Sequence, residues 1–214
     1  MNIFITATNT DIGKTYTTLK LLKLCAEKGF RVGAFKPIET GVDKVAQDAK
    51  LLLNCCQELN KEFRFVTIDD ICPIQLLLPA APYIANSGKK IDFKRVDDCY
   101  KKLKEKCDIL FIEGAGGLLV PVEENFFIID FIKYFDAVTL LVTHDELGGI
   151  NDTLLSLEAL NSRELKTFWC VNLRYNREDF EKITLPFYKA KFKKVFILQD
   201  DLEKLTKELI YLSP

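Results

Sequence analysis

The chain has one histidine, His144, one methionine and one tryptophan in 214 residues. A lone imidazole excludes His-rich metal centres and argues against a Ser-His-Asp triad, so His144 reads as structural. The seven cysteines (Cys25, Cys55, Cys56, Cys72, Cys99, Cys107, Cys170) are odd in number and never form a C-x-x-C pair. Buried thiols in a reducing compartment are the simplest reading of them. No apolar run approaches the ~20 residues of a membrane span. Neither sign of charge prevails: 30 Lys and Arg against 31 Asp and Glu leave a formal net charge of −1. That balance gives no electrostatic reason to expect nucleic acid or an anionic membrane as partner. No repeat, low-complexity tract or linker interrupts the chain. The first residues form an apolar strand and not a basic-then-apolar leader, so a cytoplasmic location is expected.

What is present fits a globular protein, with 48% hydrophobic and 29% charged residues. The length suits a single domain over residues 1–214, able to bury a substantial core without staples. The stretch that organises the rest is Asn2 to Thr18. The apolar run Ile3 to Ile5 reads as a buried strand, a polar turn follows, and Gly13-Lys14-Thr15 opens a segment of helical periodicity. Strand, loop and helix in that order are the context of a phosphate-binding loop. Backbone N–H groups and the helix N-terminus would face a polyphosphate, Lys14 would add a point charge, and Thr15 would ligate Mg²⁺. Ala7 stands where the usual motif begins with glycine, a tolerable change if that residue keeps an ordinary φ. The plainer alternative is a Gly-Lys-Thr that merely begins a helix.

Downstream, strands and helices alternate. Strands are expected at 31–36, 107–112, 137–143, 166–171 and 194–198. Helices are expected from the loop to Lys28 and at 44–58, 92–106, 126–135, about 151–161, near 177–184 and from about 201. The middle, 63–90, reads as irregular, with a short helix around 81–86. This alternation predicts an α/β fold: three layers, a mainly parallel sheet with helices on both faces. In such sheets ligands sit at the carboxyl ends of the strands. The stretches 7–15, 36–41, 113–117, 147–151 and 172 all fall there.

Magnesium on a triphosphate takes oxygen ligands, so Thr15, Glu113 and Asp48 are candidates; otherwise Glu113 is an exposed turn acid and Asp48 a first-turn helix acid. Lys36, just before Pro37, could reach a γ-phosphate or simply be a surface lysine. Glycines 114, 116 and 117 permit close approach of a ligand, or only a tight turn. Gly148 to Asn151 would aim helix N–H groups at an anion such as a carboxylate, or form a plain cap.

The constellation of Thr10-Asp11-Ile12-Gly13-Lys14-Thr15, Lys36-Pro37 with Thr40-Gly41, and Asp48 resembles the dethiobiotin synthetases. Glu113-Gly114-Ala115-Gly116-Gly117, Leu147-Gly148-Gly149-Ile150-Asn151 and Asn172 extend the resemblance through residues 1–172. It implies a P-loop fold and an ATP- and Mg²⁺-dependent ligase that carboxylates 7,8-diaminopelargonic acid and closes the ureido ring. Lys14 and Lys36 would then be catalytic, and Thr15, Asp48 and Glu113 would hold the metal. Nucleotide contacts would come from Asp11, Ile12, Gly13, Lys14, Thr15, Tyr16, Glu113, Gly114, Ala115, Gly116 and Asn172. The substrate would meet Thr10, Lys36 and Thr40. The family is a homodimer, so Gly148, Gly149, Ile150 and Asn151 would reach the substrate carboxylate from the other subunit. Asp11 stands where the family often has Glu. Phe196 to Asp200 replaces a Gly-x-Ile-Pro-like loop that helps hold adenine. The rivals are a partitioning-type switch ATPase, which would carry an extra lysine where this chain has Thr8 and Asn9, and a glutamine-using amide synthase, whose second domain does not fit in this length.

Overall fold

A computed structural model describes residues 1–211. In chain order the strands are β1 (Asn2–Ala7), β2 (Val32–Phe35), β3 (Ile38–Thr40), β4 (Ile74–Leu76), β5 (Ile109–Gly117), β6 (Pro121–Glu123), β7 (Phe126–Phe127), β8 (Val138–His144), β9 (Thr167–Asn172) and β10 (Phe196–Ile197). The helices are α1 (Lys14–Glu27), α2 (Gln47–Leu59), α3 (Ile68–Ile71), α4 (Pro82–Ala85), α5 (Phe93–Lys104), α6 (Asp130–Tyr134), α7 (Gly149–Asn161), α8 (Arg177–Asp179), α9 (Leu185–Lys191) and α10 (Leu198–Tyr211).

Six strands form one sheet in the order β10–β9–β8–β1–β5–β2, and every neighbouring pair is parallel. The central strands are buried along most of their length, with Ile3, Phe4, Ile5, Leu110, Phe111, Leu140 and Leu141 wholly inaccessible. That is why they read as continuous apolar runs and not as alternating ones. The chain moves out to β2, reverses to β5 and then crosses to β8, β9 and β10. Right-handed crossovers in opposite directions put helices on both faces. α1 packs on α2 and α10, α5 lies on β2 and β5, and α7 lies on β8 and β9.

The expected α/β fold is present, with corrections to individual elements. β5 does not end at 112 but runs to Gly117, and its pairing with β1 shifts register between Ile5↔Glu113 and Ala7↔Gly117. Gly116 has φ 69°, so the glycines bulge the strand instead of ending it. The expected helix at 126–135 is divided: β7 pairs antiparallel with β6, and only Asp130–Tyr134 is helical. A short apolar run such as Phe126 to Ile129 carries no period that separates strand from helix. The middle is more regular than expected, since β4 pairs in parallel with β3. The helical stretch at 177 continues through a π-helical turn at Phe180–Thr184 into α9. Pro186 sits in the first turn of α9, where its missing N–H costs nothing. The strand expected at 194–198 shrinks to two residues, and α10 follows with non-helical backbone at Asp201.

All seven cysteines are free, six of them buried and Cys99 half-buried. Burial pushes the thiols of Cys25 and Cys170 up to about 12, which keeps them inert. Among the described residues no helix is long and apolar enough to cross a membrane.

Edge strand β2 relies on a missing side chain. A Cβ at Gly33 would lie 2.5 Å from Phe63 Cζ and 3.0 Å from Cys107 Sγ. Gly33→Ala should therefore destabilise the fold by roughly 1–3 kcal/mol, the usual cost of overpacking. In thermal denaturation this is a fall of about 2–4 °C per kcal/mol. An unchanged melting temperature would mean that Phe63 yields freely.

Candidate functional site

The loop after β1 is shaped by two left-handed residues, Asp11 (φ 58°) and Gly13 (φ 103°). Ala7 is the last residue of β1 and has no positive φ, so alanine is tolerated there. At Gly13 no other residue fits, because a Cβ would stand 2.3 Å from Asn172 Nδ2. α1 begins at Lys14 with no side-chain cap on its first turn, leaving its N–H groups to a ligand. Lys14 Nζ donates to the Asn9 carbonyl at 2.9 Å. Burial, with the Lys36 charge adding to it, lowers its pKa to about 8 against the pull of Glu113, Asp48 and Asp11.

Across from the loop lies an ionic cluster, buried at Lys36 and Glu113 and open to solvent at Asp48. Lys36 Nζ sits 2.6 Å from Glu113 Oε1 and 2.9 Å from Asp48 Oδ2. Thr15 Oγ1 donates to Glu113 Oε1 at 2.8 Å, and Thr18 Oγ1 donates to Glu113 Oε2 at 3.0 Å. The Lys36 side chain is only 3% exposed and that of Glu113 is wholly buried. Burial disfavours the ammonium, yet Glu113 and Asp48 more than offset it and hold the Lys36 pKa above its ordinary value. Burial likewise works against the Asp48 carboxylate, and Lys36 outweighs it, leaving that pKa lowered. Glu113 is not the exposed turn acid that the sequence left open, and Asp48 is a first-turn acid of α2 that also pairs with Lys36.

Glu39 is a site residue that the sequence reading did not single out. Its buried carboxylate accepts from the backbone N–H groups of Asp48 at 3.1 Å and Ala49 at 3.0 Å. It thereby caps α2 from a distance and fixes the residue that meets Lys36. Desolvation raises its pKa in spite of those bonds. Thr18 was also overlooked; its signal was the position four residues after Lys14, whose carbonyl it also bonds at 2.9 Å.

Lys14, Thr15, Lys36, Glu39 and Asp48 line a cleft of about 910 Å³, whereas Glu113 and Thr18, both wholly buried, do not line it. Thr10, Asp11, Gly13, Lys14, Thr15, Tyr16, Lys36, Thr40, Asp48, Ala115, Gly116 and Asn172 all face it. Toward Thr40 its wall is Pro79 to Pro82 with Val120; toward Asn172 it is Leu173, Arg174 and Gln199. Asn172 is buried, donates to the Ile12 carbonyl at 2.9 Å, and accepts from Gln199 Nε2 at 2.8 Å. Ile12 thus enters through its backbone while its side chain joins the core. Gly114 faces the core, where a Cβ would crowd Ile128 and Phe4. Gly148, Gly149, Ile150 and Asn151 do not line the cleft; they form the start of α7. His144, beside them, bonds Asp152 Oδ2 at 3.1 Å and accepts from the Glu146 N–H at 3.3 Å.

Two carboxylates and a hydroxyl make a hard-oxygen donor set of the type that suits Mg²⁺, and an ammonium already bridges the two acids. A divalent ion would find its ligands here in competition with Lys36.

A family described as "AAA domain" matches residues 1–185. The chain is 49% identical to the ATP-dependent dethiobiotin synthetase of Sulfurovum sp. over 97% of this chain and 99% of that protein. Identity is 39% with the synthetase of Wolinella succinogenes, covering 97% of each chain. With that of Helicobacter pylori it is 35%, covering 95% and 97%. Among solved structures, a plasmid partition protein of Borrelia burgdorferi superposes with a TM-score of 0.54 at 13% identity, over 97% of this chain and 93% of that one. The MinD cell division protein of Aquifex aeolicus gives a TM-score of 0.50 at 17% identity, over 99% and 89%. At such identities these two likenesses speak for the fold alone.

The depressed Lys14 pKa has a consequence for anion binding. A triphosphate stabilises the protonated amine, so binding takes up a proton once the free loop has lost it. Affinity should be flat below pH 8 and fall above it, by up to about tenfold per pH unit. Calorimetric titration from pH 6.5 to 9.5 checks this, and Lys14→Gln should flatten the profile.

Proposed function

The chain belongs to the ATP-dependent dethiobiotin synthetase family, and from that premise we propose how its cleft carries out the family's reaction. The protein converts 7,8-diaminopelargonic acid, CO₂ and ATP to dethiobiotin, ADP and phosphate. The carrying observation is the near full-length match at 49% identity. The geometry of the cleft supports the assignment of parts.

The first step joins a neutral amine of the substrate to CO₂, giving a carbamate and releasing a proton. A carbamate oxygen then attacks the γ-phosphorus, ADP leaves, and a carbamic-phosphoric anhydride results. The second amine adds to its carbonyl carbon and expels phosphate as the ring closes. Every step moves or concentrates negative charge, so positioning and neutralisation are what the protein must supply.

Lys14 and the loop N–H groups would hold the β- and γ-phosphates. Lys36 would pair with the carbamate and the transferring phosphoryl group, and Glu113 would keep its ammonium charged and aimed while no ligand is bound. Thr15, Asp48 and Glu113 would hold Mg²⁺, which as a Lewis acid lessens the charge on the phosphates. Thr10 and Thr40 would receive the diamine beside the wall of Pro79 to Pro82. The nucleoside would run the other way, along Asn172, Leu173, Arg174 and Gln199.

The carboxylate end of the substrate has no evident partner in the subunit's own cleft, since Gly148 to Asn151 lie elsewhere. A homodimer would resolve this by bringing the start of α7 from a second copy. The exposed Leu147 and Leu155 on that segment support such a contact. A switch-ATPase reading has only the fold likeness behind it.

Phosphate release from ATP with MgCl₂ and bicarbonate should depend on 7,8-diaminopelargonate and yield dethiobiotin. Lys14→Ala and Lys36→Ala should each lower the rate by about 10²-fold or more, as removal of a preorganised charge does. Release that ignores the diamine would overturn the proposal.

A further inference from the structure

Arg174 and Tyr175 follow β9 in a segment exposed to solvent, where water could satisfy the backbone. Instead, three successive N–H groups donate to side-chain oxygens. Leu173 N donates to Gln199 Oε1 at 3.1 Å, Arg174 N to both oxygens of Asp145 at 3.2 Å, and Tyr175 N to Asp145 Oδ2 at 3.1 Å. Gln199 Nε2 returns a bond to the Leu173 carbonyl at 2.8 Å, so its amide pairs with that residue as a neighbouring strand would. The same Nε2 reaches Asn172 Oδ1, and Asn172 in turn holds the Ile12 carbonyl of the phosphate loop. Gln199, Asn172 and the loop are one connected chain of bonds.

The side chains of the segment have partners too. The Arg174 guanidinium lies 5.5 Å from the centroid of the Tyr175 ring, and the Tyr175 hydroxyl bonds Glu146. Fixing an exposed segment costs conformational entropy, and of the three residues only Leu173 packs against the core. Leu173 and Arg174 do, however, line the cleft next to Gly13. An apolar side chain and a planar cation offer surfaces on which a heteroaromatic base can lie.

We propose that Asp145 and Gln199 are positioning residues for the nucleoside half of the triphosphate, holding Leu173 to Tyr175 as a fixed wall that Leu173 and Arg174 present to it. This rests on the reading above that the Asn172 end of the cleft takes the nucleoside. Neither residue touches the reacting atoms. Asp145 acts from the end of β8, two strands away from the sheet edge at β10, and carries the wall through backbone bonds alone.

The test compares ATP with inorganic tripolyphosphate, which has the phosphates and no nucleoside. Binding of each to the full chain with MgCl₂ is measured by calorimetry for wild type, Asp145→Ala, Asp145→Asn and Gln199→Ala, with kcat and KM for ATP. Wild type should bind ATP more tightly than tripolyphosphate. Asp145→Ala and Gln199→Ala should weaken ATP by about tenfold, the worth of one or two bonds to a fixed wall. For Asp145→Ala, which lies outside the cleft, tripolyphosphate affinity and kcat at saturating ATP should stay within about twofold. Asp145→Asn keeps one acceptor oxygen and should fall between wild type and alanine, a graded response that a loss of folding would not give. Equal loss for both ligands, or unchanged ATP affinity with a lowered melting temperature, would overturn the positioning role. Equal wild-type affinity for the two ligands would instead remove the nucleoside reading on which it stands.

Discussion

Lys36 and Glu113 put two opposite charges where almost no water reaches, and the functional half of the molecule is arranged around that fact. Taking an ion out of water costs several kcal/mol, and losing one member of a buried pair costs about 3–5 kcal/mol. A pair of apolar residues would fill the same space more cheaply. The pair stands because its surroundings satisfy it. Glu113 accepts from Lys36, Thr15 and Thr18, while Asp48 shares the ammonium. Those partners come from the residue after β2, from α1 and from α2, so the Lys36–Glu113 pair ties together three elements that the sheet alone would not align.

Register does the aligning. Phe35 pairs with Ile112 in the parallel β2–β5 ladder, which brings the next residues, Lys36 and Glu113, side by side. A slip of one residue would send Lys36 to the opposite face and leave Glu113 buried without its cation. The bulge in β5 has the complementary effect on the other side. It lets Glu113 stay level with Ile5 while Gly117 reaches Ala7, close to the loop, where a Cβ would press on the Thr8 carbonyl at 3.1 Å. Parallel topology therefore gathers the ends, and the bulge adjusts their depth.

Much of this was legible in the residues. Apolar runs bounded by glycine and proline gave the central strands, and chemistry-bearing residues followed each run, which a parallel sheet turns into one cleft. The phosphate loop needed only local order. What escaped was set at a distance. Glu39 caps a helix eight residues downstream across a turn, and Gln199 reaches back to Leu173 from another element; neither relation has a sequence period. The division at 126–135 escaped for a different reason, because four apolar residues in a row fit either period. The five-residue π-helical turn before α9 likewise has no local signature that distinguishes it from an ordinary helical end.

The fold by itself does not decide the chemistry. A partition protein and a cell-division protein share the fold at 13% and 17% identity. What separates this chain is how it uses the edge next to the loop. Where the partitioning-type reading calls for an extra lysine it has Thr8 and Asn9, and its second cation, Lys36, directly follows β2, braced by Glu113 of β5. A lysine fixed there is held by the core and not by a mobile loop, so its charge is in place before any ligand arrives. That suits a reaction whose difficulty lies in assembling several anions in one place. A switch has the opposite need, since its cation must let go when the phosphate does. Rigidity at Lys36 is therefore the feature on which the biosynthetic reading and the switch reading part.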